Sequence, residues 1–197
     1  GVKIILNSEV TRKLTEAGKP DAVVIATGAV SIGLDVPGAQ GDNVVQAVDV
    51  IVGRVKVGNR VVVLGGRARA MEVADLLAQQ GKRVTLATRG RLGGSGEPLE
   101  RNLFVTLRDR LVERGVAIFP FTSVFEIRPN GVYVVLDNEL LFLSADTVVL
   151  AVGAKPVDEL LTELAGIAPE LYAIGDCACV RDAREAVNEG AEIALKI

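Results

Sequence analysis

The feature that most constrains the fold is the segment 61–72, whose sequence is VVVLGGRARAME. An apolar run without alternation is typical of a strand that is buried on both faces. The run ends at Gly65 and Gly66, and apolar residues then recur with helical spacing at positions 70, 73, 74 and 77. A buried strand that turns directly into a helix predicts an α/β fold built on a parallel sheet.

The loop departs from the fingerprint G-x-G-x-x-G, in which the glycines form the turn, admit a pyrophosphate and pack helix on strand. Its three positions hold Gly65, Arg67 and Ala70. Alanine is an accepted third residue, but arginine places a long cation where bare backbone is expected. Two hypotheses stay open: Arg67 clamps a phosphate at the helix N-terminus, or it fills the phosphate position.

The rest of segment 58–153 is typical of one α/β unit. The first helix ends at Gly81, and a second begins near Pro98, continues through a leucine stripe that starts at Leu99, and ends at Gly115. Further strands are predicted at 83–88, 116–120 and 147–152, and an antiparallel meander at 123–127, 132–136 and 140–143.

The flanking segments, 1–57 and 154–197, predict a second and smaller lobe. Strands are expected at 2–6, 21–27 and 171–174, and helices at about 47–53 and from Arg181 onward. Small residues along the last helix allow close packing on a sheet or a cofactor.

Composition excludes several classes of function. The net charge of −3 provides no basic field for nucleic acid and no polybasic membrane anchor. The apolar runs are too short to span a bilayer, and the two cysteines in no metal or disulfide pattern make a reduced, cytoplasmic setting the expectation. The chain contains no histidine, and its two cysteines, Cys177 and Cys179, lack the spacing of a metal or redox site. We therefore predict no metal, no catalytic acid or base, and two buried cysteines.

Three segments in order carry a family resemblance: VIATGA at 24–29, the loop at 65–72, and LYAIGDC at 171–177. Together they resemble the pyridine-nucleotide-disulfide oxidoreductase superfold. The runs 20–29 and 173–177 and the turn at 37–39 are most similar to the C-terminal region of the NADH:flavin oxidoreductase and 2,4-dienoyl-CoA reductase family, relatives of Old Yellow Enzyme and trimethylamine dehydrogenase. The resemblance implies an α/β fold: a Rossmann-like NAD(P)-binding domain at 58–153, with a parallel sheet, helices and a meander, inserted in a partial FAD-binding lobe.

The resemblance also implies two sets of site residues. Asp176 would bind the flavin ribityl chain, and the other flavin-contacting positions are Ala26, Thr27, Gly28 and Gly175. The pyridine nucleotide would contact Gly65, Gly66, Arg67, Ala70, Glu72, Thr88, Arg89, Arg91 and Gly153.

The nucleotide preference follows from position 88. Thr88 stands where many relatives carry a ribose-binding glutamate, and with Arg89 and Arg91 nearby this favours the 2′-phosphate of NADP over NAD. Simpler interpretations stay open for these residues. The arginines are then solvated surface residues, Glu72 stabilises the helix dipole, and Asp176 caps a turn.

Two hypotheses of function result. The first is the nucleotide-binding part of an NAD(P)H-dependent flavin oxidoreductase, in which hydride passes from nicotinamide to FAD. The second is a degenerate module that holds ADP or no ligand. The family's first FAD-binding unit and flavin barrel are not found in the sequence, so we expect them as partner domains of the parent protein and expect the isolated chain to be inactive. An unpaired sheet edge predicts self-association or a terminus that covers it.

Overall fold

The computed structural model describes residues 1–93 and 101–197. The predicted helix start near Pro98, with Leu99, lies outside the described residues. Six α-helices occur in the described part: α1 (Arg12–Gly18), α2 (Ala47–Ile51), α3 (Ala68–Gln79), α4 (Arg101–Glu113), α5 (Glu159–Glu163) and α6 (Ala183–Ala194). The same part contains twelve strands: β1 (Ala22–Ile25), β2 (Ala29–Ser31), β3 (Val44–Gln46), β4 (Arg60–Leu64), β5 (Arg83–Ala87), β6 (Ala117–Phe119), β7 (Ser123–Arg128), β8 (Gly131–Leu136), β9 (Glu139–Ser144), β10 (Thr147–Leu150), β11 (Ala154–Pro156) and β12 (Glu170–Ala173).

The chain divides into two compact units. The first consists of residues 1–30 and 154–197, and the second of residues 31–153. The sequence predicts 31–57 in the first lobe, but this stretch lies in the second unit. The reason is that β3 pairs with β10, while α2 packs on α3. The boundary between the units therefore falls near residue 30 rather than near residue 57.

The second unit is built on a parallel five-stranded sheet with the order β3-β10-β4-β5-β6. Helices α2, α3 and α4 contribute to the core on one face. The antiparallel meander β7-β8-β9 contributes to the core on the other face. The predicted α/β class, with a parallel sheet, helices and a three-stranded meander, is confirmed.

Strand β4 explains why its sequence is apolar without alternation. Val61 and Val63 belong to the helix-side core, whereas Val62 and Leu64 belong to the meander-side core. All four side chains are at most 1% exposed. Because both faces of the strand are covered, an apolar side chain at every position is buried and stabilises the fold.

Turn residues end the elements where their backbone preferences allow. Gly81 follows α3 with φ of 78°, in the left-handed region that glycine adopts without strain. Asp137 and Asn138 join β8 to β9 with φ of 51° and 64°, which is the geometry of a two-residue hairpin turn. The predicted helix end and hairpin are therefore confirmed.

The first unit contains a parallel pair of strands, β1 and β12, in which Ile25 lies opposite Ala173. Ile25, Leu164 and Cys177 form its buried centre. Helix α6 is amphipathic in sequence but contributes no buried residue. No helix in the described part of the chain has the length and apolar character needed to cross a bilayer.

One predicted strand is wrong. Residues 2–6 have no regular structure, and Val2, Ile4 and Leu6 are all more than three-quarters exposed. An apolar run becomes a strand only when another strand supplies its hydrogen-bond partners, and none of the described residues does so here. Helix α1 was not predicted, although Thr11 caps it through a hydrogen bond from the Leu14 amide to its hydroxyl oxygen.

Candidate functional site

The carboxyl end of β4 is the topological switch point of the five-stranded sheet. The chain leaves β4 through α3 to reach β5 on one side, while β10 flanks β4 on the other. Loops that leave neighbouring parallel strands in opposite directions open a crevice at this edge, which is where open α/β sheets bind ligands. The predicted glycine loop lies at this crevice.

Gly65 is required by close packing as well as by backbone conformation. Its φ is 142°, and a Cβ at this position would lie 2.3 Å from the Ala151 carbonyl oxygen and 3.1 Å from the Ala70 Cβ. The backbone around it is tied to both neighbouring strands. The Gly65 amide donates to the Ala87 carbonyl at 2.9 Å, and the Ala151 amide donates to the Leu64 carbonyl at 2.8 Å. Gly65 and Ala70 thus perform the packing roles of the first and third fingerprint positions.

Gly66 is held against the end of β5. A Cβ on Gly66 would lie 2.2 Å from the Thr88 hydroxyl oxygen, and Thr88 is only 7% exposed. The predicted nucleotide-contacting Thr88 is therefore a buried residue that packs under the glycine loop. Its amide donates to the Phe119 carbonyl at 3.0 Å, and its carbonyl accepts from the Thr122 amide at 2.9 Å.

Arg67 occupies the N-cap position of α3. Its φ of −90° and ψ of −176° lie in the extended region, so arginine replaces the fingerprint glycine without backbone strain. Its side chain forms no capping hydrogen bond and is exposed. The Ala70 and Met71 amides donate to the Arg67 carbonyl at 3.0 and 3.2 Å, which leaves the Ala68 and Arg69 amides at the open end of α3, and a helix N-terminus attracts anions.

Three further arginines lie on the segments that adjoin this loop: Arg69 on α3, and Arg89 and Arg91 on the segment after β5. All three are exposed. The segment after β5 is tied to the glycine loop because the Gly93 amide donates to the Gly66 carbonyl at 2.7 Å. The side chains of Arg67, Arg69, Arg89 and Arg91 have no hydrogen-bond or ion-pair partner among residues 1–93 and 101–197.

Two other residues predicted to contact the pyridine nucleotide, Glu72 and Gly153, lie at the margins of this site. Glu72 is exposed and lies beyond the first turn of α3, which contains no acidic residue. The dipole interpretation of Glu72 is therefore weak, because the effect fades after the first turn. Gly153 has φ of 134°, follows Ala151 by two residues, and accepts a hydrogen bond from the Ile32 amide at 3.2 Å.

The residues predicted to contact the flavin lie together at one sheet edge of the first unit. Ala26, Thr27 and Gly28 follow β1, and Gly175 and Asp176 follow the adjacent parallel strand β12. The Thr27 hydroxyl donates to the Val157 carbonyl, and the Val157 amide donates to the Gly28 carbonyl at 3.0 Å.

A polar network holds the turn after β12. The Gly175 amide donates to the Glu189 carboxylate at 2.6 Å, and Arg181 also hydrogen-bonds to Glu189. The amide of Arg181 donates to the Asp176 carboxylate at 3.0 Å. Two contacts lower the pKa of Glu189 below its ordinary value of 4.5. The hydrogen bond from the Gly175 amide is the larger cause, and the hydrogen bond from Arg181 is the second. Asp176 is partly exposed, so the capping interpretation is compatible with an additional ligand contact.

The two cysteines differ in their surroundings. Cys177 is buried, and its thiol lies within hydrogen-bond distance of the carbonyl oxygens of Ile25 and Ile174, each 3.1 Å from the sulfur. Cys179 is exposed, so the prediction that both would be buried is wrong for this residue. Both thiols are free. The chain passes through a 3-10 turn at Gly175–Cys177, which leaves Cys177 inside and Cys179 outside.

Several residues of these sites were missed in the sequence. Ala151 contacts the Gly65 turn, Gly93 ties the loops together, and Glu189 binds the Gly175 turn. Their partners lie 14 to 86 positions away or across a loop, so no local pattern links them. In the sequence, Gly93 is marked only by being a glycine two residues after Arg91, on the segment that follows β5.

The fold and the switch-point loop define the class of protein: a Rossmann-like nucleotide-binding unit joined to a second α/β unit. The sequence model of the pyridine nucleotide-disulphide oxidoreductase family matches residues 1–190. The chain therefore belongs to this flavoprotein oxidoreductase family.

Known relatives agree with this assignment. A metal reductase from Desulforamulus reducens is 30% identical, with an alignment that covers all of this chain and 34% of the relative. An NADH oxidase from Thermoanaerobacter brockii is 31% identical, over all of this chain and 31% of the relative. The solved structure of a 2-naphthoyl-CoA reductase is 31% identical with a TM-score of 0.90, over all of this chain and 30% of that one. The chain spans about a third of the length of these proteins.

Proposed function

We propose that this chain is the pyridine-nucleotide-binding and flavin-contacting part of an NAD(P)H-dependent flavin oxidoreductase of the NADH:flavin oxidoreductase and 2,4-dienoyl-CoA reductase type. The observation that carries the proposal is the glycine turn at the switch point, packed on Ala151 and Thr88 and followed by the N-terminus of α3, which the side chain of its N-cap residue Arg67 does not cap. The relatives named as an NADH oxidase and reductases, each matched along this whole chain, support it.

The nucleotide would lie across the Gly65 turn with its pyrophosphate at the N-terminus of α3. The backbone there fits such a group, because Gly65 and Ala70 keep the tight turn and Arg67 adopts an unstrained conformation. Arg67 would then add a cation beside the pyrophosphate rather than exclude it. When bound, the nicotinamide supplies a hydride and the flavin accepts it, so no acid or base of this chain is required.

We assign the preference for NADPH to the segment after β5. Thr88 is buried under Gly66 and carries no charge that would oppose a 2′-phosphate. Arg89 and Arg91 are exposed and have no partner within the described part of the chain. Arginine guanidinium groups bind phosphate through paired, charge-assisted hydrogen bonds.

The flavin contact of the first unit would be the edge where β1 and β12 end. Asp176 would hydrogen-bond the ribityl hydroxyls, and Gly175 adopts the positive φ of 66° that the turn before Asp176 requires. The Glu189 network described above would hold this turn in place. The parent protein would supply the remaining flavin-binding unit, the flavin barrel and the site of substrate reduction.

Calorimetric titration tests the nucleotide assignment. The chain is titrated with NADPH, NADH and ADP at moderate salt, in parallel with Arg67→Gly. We expect micromolar or tighter NADPH binding that is weaker for NADH, and weaker binding of both dinucleotides to Arg67→Gly. If neither dinucleotide binds either protein, the proposed function is wrong.

Arg67 also supports a second candidate function. If the Arg67 side chain fills the pyrophosphate position, the unit holds ADP or serves as a scaffold without a dinucleotide. Binding of ADP alone, or binding of dinucleotides only after Arg67→Gly, would select this alternative. Its physical basis is that a guanidinium at this position competes with the backbone amides for the ligand phosphate.

A further inference from the structure

Phe121 has a backbone conformation that phenylalanine rarely adopts. It follows β6 with φ of 54°, in the left-handed region, and it is nonetheless 61% exposed. A bulky residue in this region is a conformational outlier, and such outliers persist where the surroundings dictate them and cluster at functional sites. Glycine or asparagine would adopt this turn with less strain.

Backbone hydrogen bonds hold this turn against the segment after β5. The Phe121 amide donates to the Gly90 carbonyl at 3.2 Å, and the Thr122 amide donates to the Thr88 carbonyl at 2.9 Å. The Thr88 amide in turn donates to the Phe119 carbonyl at 3.0 Å. These three bonds fix Phe121 beside Gly90, whose two neighbours in the chain are Arg89 and Arg91.

The turn lies at the ligand-binding edge of the sheet. Strands β4, β5 and β6 are parallel neighbours, so their carboxyl ends share one edge. Gly65, Arg89 and Phe121 each follow one of these ends. An exposed aromatic ring on this edge, on a turn hydrogen-bonded to the segment that carries Arg89 and Arg91, combines a stacking surface with positive charge.

We infer that Phe121 stacks on the adenine ring of the bound nucleotide. The occupant is a purine nucleotide because its aromatic base matches the ring, while its 2′-phosphate matches Arg89 and Arg91 on the neighbouring segment. Stacking on an aromatic side chain is a general way of holding a base, independent of its hydrogen-bonding edge. This assignment deepens the proposed function and rests on it. Phe121 is a binding residue that sets the position of the adenine end.

The test compares ADP with pyrophosphate, which lacks a base. Calorimetric titrations are run on the full chain, on Phe121→Ala, and on Phe121→Gly, which adopts positive φ and keeps the turn if alanine strains it. Phe125→Ala is the matched control, because Phe125 is 57% exposed but belongs to the meander strand β7. Phe121→Tyr retains an aromatic ring.

We expect both Phe121→Ala and Phe121→Gly to weaken ADP binding by at least about fivefold, and to leave pyrophosphate binding unchanged. Phe121→Tyr and Phe125→Ala should bind both ligands like the unaltered chain. Unchanged ADP affinity in the two variants, or equal losses for ADP and pyrophosphate, would overturn the stacking role of Phe121 and leave the proposed function standing. If the unaltered chain binds no ADP, NADH or NADPH, the proposed function fails and this inference fails with it.

Discussion

Asp75 on α3 and Arg114, just past the end of α4, form an ion pair with 2.6 Å between Oδ1 and Nη1. The Asp75 side chain is almost completely buried. Its other carboxylate oxygen accepts hydrogen bonds from Arg110 and, at 2.9 Å, from Gln79. The buried charge is therefore compensated by three hydrogen bonds, and it joins α3 to the end of α4, two of the three helices on one face of the sheet.

We predict that Asp75→Ala destabilises the second unit by about 2 kcal/mol, because it removes every hydrogen bond of this cluster. The cost stays below that of a fully buried pair, since Arg110 and Arg114 are partly exposed and can reach water. The midpoint of thermal unfolding, followed by circular dichroism, should fall by roughly 4–8 °C.

The control for this substitution is Asp109→Ala, which removes an exposed carboxylate that pairs with its neighbour Arg108. An exposed pair contributes little, so the midpoint should change by less than about 2 °C. Equal shifts for the two variants would mean that the Asp75 cluster does not hold the helices together.

The contact between Gly66 and Thr88 gives a second prediction. Gly66→Ala should destabilise the unit, because its Cβ would lie 2.2 Å from the Thr88 hydroxyl oxygen and 2.8 Å from its Cβ. Thr88→Gly removes both obstacles, so the double variant should regain about 1–2 kcal/mol relative to the sum of the single changes. Urea unfolding of the four proteins measures this coupling. Simple additivity would contradict the packing.

Much of the second unit is predictable from the sequence because its signals are local. Buried strands are apolar runs, Gly81 ends a helix, and Asp137 and Asn138 form a turn, and each of these depends on nearby residues. The Gly65 turn is predictable for the same reason. Fold class and the location of the nucleotide-type loop follow directly.

The remaining features depend on contacts between distant segments. Residues 2–6 have strand composition without a partner strand, and residues 31–57 join the second unit through pairing of β3 with β10. The positive φ of Phe121 and the burial of Asp75 depend on residues more than 30 positions away. Composition and periodicity contain no information on such contacts.

The Glu189 network predicts acid sensitivity of the first unit. Because the pKa of Glu189 is below its ordinary value in the folded state, its ionised form stabilises the fold at pH above about 4.5. This stability is lost as pH falls through the lower, folded-state pKa. Hydrogen exchange of the Gly175 amide should therefore accelerate as the medium is acidified below about pH 4.5, beyond the intrinsic pH effect.

Glu189→Gln should give fast exchange of the Gly175 amide already at neutral pH and flatten its pH dependence, because the amide side chain cannot pair with Arg181 as an ion. Glu192→Gln on the same helix is the control, since Glu192 is exposed and binds neither Gly175 nor Arg181. A Glu189→Gln profile that matches that of the unaltered chain would exclude the stabilising role of the carboxylate.

The arginines after β5 give the sharpest prediction for ligand choice. Arg89→Ala together with Arg91→Ala should weaken NADPH binding by about 10- to 100-fold and NADH binding by much less, because only NADPH carries the 2′-phosphate. Arg83→Ala is the matched control: Arg83 is exposed at the amino end of β5, the opposite edge of the sheet. The NADPH preference should also decrease as ionic strength rises, since salt screens exposed guanidinium groups. Equal losses for the two nucleotides would place these arginines at the shared pyrophosphate instead.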